Sequence, residues 1–118
     1  MTGSPGPCAG TKNAPPDVLP LKIRPKARHD LAYVAAWIKV DNPDASEAFR
    51  AAAERELELL RAHPFLGRRR HFRTSGLRSW RIGGFENYLI FYRSTDSGLE
   101  VARVLHGAQD LQRILGSP

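Results

Sequence analysis

The chain has 118 residues, 42% hydrophobic and 25% charged, proportions that suit one small globular core. No apolar run nears the roughly 20 residues of a membrane-spanning helix. The start of the chain, broken by Pro5, Pro7, Pro15 and Pro16, lacks the basic residues and unbroken apolar stretch of a secretory signal. A lone Cys8 cannot form an internal disulfide and no Cys/His spacing suits zinc, so no metal and no cofactor is expected, and the cytoplasm is the expected compartment.

Residues 1–17, MTGSPGPCAGTKNAPPD, combine Gly, Pro and small polar residues without periodicity and read as a disordered tail or leader ahead of a domain spanning 18–118. Val18–Arg24 alternates apolar and basic residues, as a half-buried strand does. Pro25 ends that strand and suits the first turn of a helix, where its missing N–H costs nothing. Within 25–40, Ala27, Leu31, Val34, Ala35 and Ile38 form one helical stripe, and Tyr33, Trp37 and Val40 widen it beyond what one core contact needs. Asn42 is placed to cap a second helix, with Pro43 in its first turn and Asp44 and Glu47 near its positive end. That helix is predicted to run to about His63, with Ala45, Phe49, Ala52, Ala53, Leu57 and Leu60 inward and Pro64 and Gly67 beyond it. So short a link predicts a helical hairpin.

The second half reads as β. After a loop over Pro64–Gly76, Trp80 and Ile82 share a face of a strand Leu77–Ile82, with Arg78 beside them. Gly83-Gly84 marks a turn or bulge. Tyr88–Tyr92 is apolar on both faces, as a central strand is. A hairpin turn, Thr95–Gly98, leads into a last strand, Leu99–His106, on which Leu99, Val101, Arg103 and Leu105 are expected on one face. Gly107 introduces a short helix, Ala108–Leu115. The predicted fold is therefore α+β, in the order β-α-α-β-β-β-α: a small antiparallel β-sheet packed against an N-terminal helical hairpin, with the first strand beside the meander.

Charge is unevenly placed. Residues 64–93 hold seven arginines, no lysine and one acid, Glu86, which accounts for the whole net charge of +6. The guanidinium fork matches phosphate and carboxylate in a way ammonium does not, so this stretch favours a polyanionic or acidic partner, either nucleic acid or an acidic protein surface.

The stretch LRSWRIGGFENYLIFYRSTDSGLEVARVLHGAQDL resembles RelE/ParE-type toxins, with a strand ending in Arg and an apolar residue, then YLIFYR, a polar hairpin, RVLH and GAQDL. ARHDLAYVAAWI and the segment from DNPDASEAF to LELLRAHPFLG are similar to the first and second helices of that superfamily, so the resemblance spans about residues 18–115. It implies the toxin half of a type II toxin–antitoxin pair, neutralised by a cognate antitoxin protein. RelE-like members cut mRNA on the ribosome, and ParE-like members inhibit DNA gyrase by binding. RelE-like cleavage uses Lys and Arg on the middle strands, an Arg after the strand tyrosine and a late Tyr. Here Leu89 follows Tyr88, the middle strands hold no Lys and no Tyr follows Tyr92, whereas RVLH is closer to ParE-like members. The ParE-like reading, a binding toxin without intrinsic catalysis, is taken ahead of the ribonuclease, whose candidate catalytic residues would be Arg81, Arg103 and His106.

Under the ParE-like reading, Arg78, Arg81, Arg103 and His106 are candidates for target binding. Arg103 either pairs with an acid, Asp110 or Glu100, or lines an anion-contacting concavity. His106 reads first as a residue hydrogen-bonded to Asp110 or to backbone where the last helix begins. Tyr33 and Trp37 are either extra core or an antitoxin-helix groove. Arg68, Arg69 and Arg70 read as a loop cluster for phosphate or an acidic antitoxin.

Overall fold

A computed structural model describes residues 18–116; the tail expected over 1–17 lies outside the described residues. Strand β1 (Leu21–Ile23) leads into helix α1 (Pro25–Asp41), which Asn42 alone separates from α2 (Pro43–Ala62). Pro25 and Pro43 each sit in the first turn of their helix, and the Asn42 side chain accepts from the Ala45 N–H (3.1 Å), as a capping residue should. The hairpin is fastened internally where the buried Ser46 hydroxyl donates to the Ala35 carbonyl (2.6 Å).

Four further strands follow: β2 (Arg68–Arg69), β3 (Arg78–Ile82), β4 (Phe85–Thr95) and β5 (Gly98–His106), and then α3 (Leu111–Leu115). The sheet order is β1-β5-β4-β3-β2. The predicted β3-β4-β5 meander is antiparallel, with Gly83-Gly84 as its first turn and Gly84 at a φ of 84° that an L side chain adopts rarely. β1, however, pairs with β5 in parallel, so the sheet as a whole is mixed. It reaches that place because α1 and α2 carry the chain across one face before the meander begins. The two-residue β2 is an addition to the predicted order: part of the expected 64–76 loop pairs with β3, Arg68 opposite Ser79 and Arg69 opposite Arg78. The last helix starts at Leu111 rather than Ala108, since Asp110 caps it by accepting from the Arg113 N–H (3.2 Å).

Two cores flank the sheet. On one face Phe49, Leu57 and Leu60 of α2 and Val34 and Ala35 of α1 cover Ile82, Ile90, Tyr92, Leu99, Val101 and Val104. On the other, Phe72, Leu77, Phe91 and Leu105 meet α3 through Leu111, Ile114 and Leu115. β4 is apolar on both sides because it is the central strand of a sheet covered on both sides.

A register shift between β4 and β5, at Phe91/Tyr92, leaves Ala102 without an opposite residue. Strict alternation would put Leu99, Val101, Arg103 and Leu105 on one face. The extra residue instead hands the helix side from Leu99 and Val101 to Val104, and sends Leu105 to the opposite core.

At the end of β4, the fully buried Tyr92 hydroxyl accepts from the Gly67 N–H (2.8 Å) and donates to the Pro64 carbonyl (2.9 Å). Burial pushes this phenol above its ordinary value. Tyr92 thereby fixes the exit of α2 and the approach to β2, and a Cβ at Gly67 would fall 2.5 Å from that hydroxyl.

Candidate functional site

The residues singled out in the sequence gather at two places. The first is a groove of about 450 Å³ between α1 and the end of β5, lined by Tyr33, Trp37, Tyr88, Arg103 and His106 among others. It unites residues expected to serve two partners: the aromatic pair of α1, and Arg103 and His106 of β5.

Tyr33 and Trp37 are not extra core. They remain 64% and 67% exposed, and Val40, one turn on, is 82% exposed, so α1 presents further apolar residues to solvent beside the stripe it buries. Below them, Arg103 is bound on both branches: its Nε–H donates to Asp30 Oδ2 (2.7 Å) and its Nη2–H to Asp30 Oδ1 (3.0 Å). The acid is thus Asp30 of α1, not Asp110 or Glu100 as the neighbouring sequence suggested. Asp110 caps α3, and Glu100 accepts from Arg93 (2.8 Å) and Arg24 (3.3 Å). Asp30 also accepts from the Val104 N–H (3.0 Å), so one buried carboxylate closes three donors at the bulge of β5. Its hydrogen bonds hold the Arg103 guanidinium above its ordinary pKa.

His106 is committed to backbone rather than to Asp110. Its Nδ1 accepts from the Ala108 N–H (3.0 Å), its own N–H donates to Gln109 Oε1 (2.8 Å), and its ring meets Tyr88 edge-on at 5.0 Å. With Nδ1 an acceptor, the neutral ring carries its proton on Nε2.

The second place is the opposite edge of the sheet, where β2 and β3 carry the arginine-rich stretch. Arg68, Arg70 and Arg81 line a concavity of about 270 Å³ with Leu66, Ser79 and Leu89. By register, Arg68 and Arg81 lie on the Ser79 side, whereas Arg69 and Arg78 lie on the Tyr92 side. Arg70 donates to Ser79 Oγ (3.0 Å), and Arg78 donates to the carbonyls of Gly67 (2.9 Å) and Phe65 (3.3 Å) while covering the Phe65 ring at 5.1 Å. Burial and the neighbouring Arg68 lower the Arg70 pKa. Among the described residues, no arginine of 64–93 except Arg93 forms a salt bridge. Arg81 and Arg103 stand on strands that do not pair, since β4 lies between β3 and β5.

A family model described as the ParE toxin of the type II toxin-antitoxin system, parDE, matches residues 21–111. The chain belongs to the ParE toxin family. No curated protein matches it. Among solved structures, one described as the chromosomal ParDE TA system from P. aeruginosa is similar at a TM-score of 0.62 and 17% identity, covering 76% of this chain and 97% of that one. At that identity the likeness is one of fold, and it agrees with the helical hairpin on a five-stranded sheet found here. The RelE/ParE resemblance read from LRSWRIGG through RVLHGAQDL is thus resolved toward its ParE branch. Among the described residues of this ParE-family chain, no helix is long and apolar enough to cross a membrane, and no group of three or more His, Cys, Asp or Glu is placed to hold a metal ion.

Sequence reasoning missed Asp30 and Glu56. Asp30 falls at the inward spacing of Ala27 and Val34, and Glu56 at that of Ala53 and Leu60. An acid on a core stripe is the available signal for a buried partner. Glu56 accepts from Trp80 Nε1–H (2.8 Å) and the Gly83 N–H (3.1 Å), so it holds β3 and its turn against α2.

Proposed function

We propose that this ParE-family chain is a cytoplasmic toxin that inhibits DNA gyrase by binding it, without bond-breaking chemistry of its own, and that a cognate antitoxin neutralises it by covering α1. Family membership supports the toxin role. The observation that carries the non-catalytic part is the bidentate Asp30–Arg103 pair. A ribonuclease would turn that guanidinium on the phosphorane charge; here a carboxylate already occupies it. His106 likewise spends Nδ1 on backbone and holds its proton on Nε2, which leaves the neutral ring no free nitrogen to accept one.

Of the arginines read as target anchors, Arg81 is the exposed one that forms no salt bridge among the described residues, its charge reaching only as far as Glu86 across the turn, whereas Arg78 and Arg103 are partly buried and hold internal partners. We assign the first contact with gyrase to Arg81. The antitoxin is assigned to the Tyr33–Trp37–Val40 stripe, onto which an amphipathic helix can lay its apolar face. Arg68, Arg69 and Arg70, grouped with that stripe in the sequence, stand at the other edge of the sheet, so an antitoxin meeting both would have to cross the domain.

The test is a supercoiling assay with purified gyrase beside a ribosome-bound mRNA cleavage assay. Inhibition of supercoiling is expected, lost on Arg81→Ala together with gyrase binding, and retained on His106→Gln. Cleavage of mRNA that His106→Gln abolishes while ribosome binding persists would replace this reading with the endoribonuclease.

A further inference from the structure

The β2–β3 edge differs from an ordinary solvated basic face in three respects. Its cations are all arginine, they stand on both sides of one sheet edge, and none of them forms a salt bridge among the described residues. Glu56 holds Trp80 and the Gly83 amide, and Glu100 sits between Arg24 and Arg93. Glu86 lies beyond the Gly83-Gly84 turn and accepts from the Gly84 N–H; backbone hydrogen bonds lead in lowering its pKa, and the Arg81 charge adds to them without a salt bridge. Arg68 and Arg81 project on the Ser79 side with Arg70, and Arg69 projects on the Tyr92 side with Arg78. Burial, and after it the like charge of Arg68, disfavours the Arg70 cation.

We propose that this edge binds the sugar–phosphate backbone of duplex DNA, with guanidiniums from the two sides of the sheet reaching the two phosphate rows that border one groove. A sheet edge with its side chains is about 10 Å thick, comparable to the roughly 12 Å major groove, which admits a two-stranded ribbon. Single strands are held by rows of aromatic faces on which successive bases stack; here one exposed ring, Phe65, with Arg78 against it, stands at the edge, and the Trp80 indole is tied to Glu56, so the arginines outnumber the stacking faces. The concavity between Arg68, Arg70 and Arg81 is otherwise lined by Leu66, Leu89, Trp80, whose indole N–H donates to Glu56, and Ser79, whose hydroxyl is engaged by Arg70. That lining suits phosphate and offers little to read a base edge, so sequence-independent contact is expected. The proposal extends the target surface from gyrase to DNA through the shared Arg81, yet it does not depend on gyrase. Binding is measured with no gyrase present, so a failed supercoiling assay leaves it standing, and a failed DNA assay leaves the gyrase reading untouched.

The experiment is fluorescence anisotropy of the purified chain with a mixed-sequence 20-base-pair duplex and with one of its strands, across a salt series. Two charge-matched triple variants are compared: Arg68→Ala/Arg69→Ala/Arg81→Ala at the edge, and Lys39→Ala/Arg50→Ala/Arg55→Ala on the helices, all at exposed positions. Far-UV circular dichroism and a melting curve establish that both variants fold. The wild type should prefer the duplex. The edge variant should lose at least about tenfold in affinity at low salt, with a salt slope shallower by roughly 0.9 for each phosphate contact removed. The helix variant should keep most of its affinity and its slope. Equal losses in the two folded variants would overturn the proposal by reducing it to net charge. A preference for the single strand would overturn the duplex assignment. No DNA binding by the wild type, with Arg68 and Arg69 instead needed to bind an acidic antitoxin, would assign the edge to protein.

Discussion

The groove over Arg103 and the β2–β3 edge use the same residue type to opposite ends. In the groove an arginine is met by a buried carboxylate on two branches, and a backbone amide shares the acid. At the edge, Arg70 and Arg78 donate to a hydroxyl and to carbonyls, and none of the five arginines forms a salt bridge among the described residues. The first arrangement sacrifices an interaction with any partner for local order. The second keeps its cations available to anions from outside. A guanidinium's role is thus decided by whether an acid reaches it, and that depends on which elements the topology brings together.

The largest effect that can break this comparison is expected at Asp30. Asp30→Ala leaves the partly buried Arg103 without its counter-charge and the Val104 N–H without an acceptor. Removing one partner of such a pair costs about 3 kcal/mol, and urea denaturation should show it. Asp30→Asn, which keeps an acceptor for the Val104 amide, should lose less. If Asp30→Ala is as stable as the parent, the pair is not what orders the β5 bulge, and the contrast with the edge loses its basis.

The second effect is in binding. Trp37 is 67% exposed, so Trp37→Ala should leave the melting temperature nearly unchanged while weakening the antitoxin complex by about 2 kcal/mol, the size of an aromatic hot spot. Isothermal titration with the antitoxin measures it. Undiminished affinity in the folded variant would move the antitoxin off α1 and reopen the arginine edge as its seat.

Much of this was legible in the sequence, and the parts that were not share a cause. Local rules place elements well: Asn42 and Pro43 mark the break between helices, Gly83-Gly84 the turn, and Tyr88–Tyr92 a strand buried on both faces. The exposed pair Tyr33 and Trp37 was visible as an apolar surplus on α1. What escaped depends on contacts far apart in the chain. Arg103 and Asp30 are separated by 73 positions, and β1 meets β5 only after the hairpin intervenes. The nearer acids, Glu100 and Asp110, drew attention because sequence distance is what a sequence displays. Ala102 is a small residue in an apolar run with no mark of a bulge, so alternation carried Arg103 and Leu105 to the face of Leu99 and Val101. β2 escaped because two arginines have no strand pattern; it exists because Tyr92 pins Gly67 and delivers them to β3.

The smallest effect separates the two regions by pH. Glu100 lies between Arg93 and Arg24; its hydrogen bond to Arg93 leads in holding its carboxyl below the ordinary value, against an opposing push from burial, and Arg24 adds to the same effect. A lowered folded-state pKa means that the ion pairs contribute their full stability above the unfolded glutamate value of about 4.3. That contribution then drains away as pH falls through the lower folded value. Arg93 and Arg24 are 35% and 52% exposed on their side chains, so water and salt screen the network, and Glu100→Gln should cost under about 1 kcal/mol at neutral pH. The gap between the parent and Glu100→Gln should close as the pH is taken from about 5 toward 2 in denaturation series. Arg68 and Arg69 form no salt bridge among the described residues, so Arg68→Ala/Arg69→Ala should shift stability by the same small amount throughout that range. An acid limb that changes in the edge variant as it does in Glu100→Gln would reveal a carboxylate partner for β2, and the two regions would no longer be different in kind.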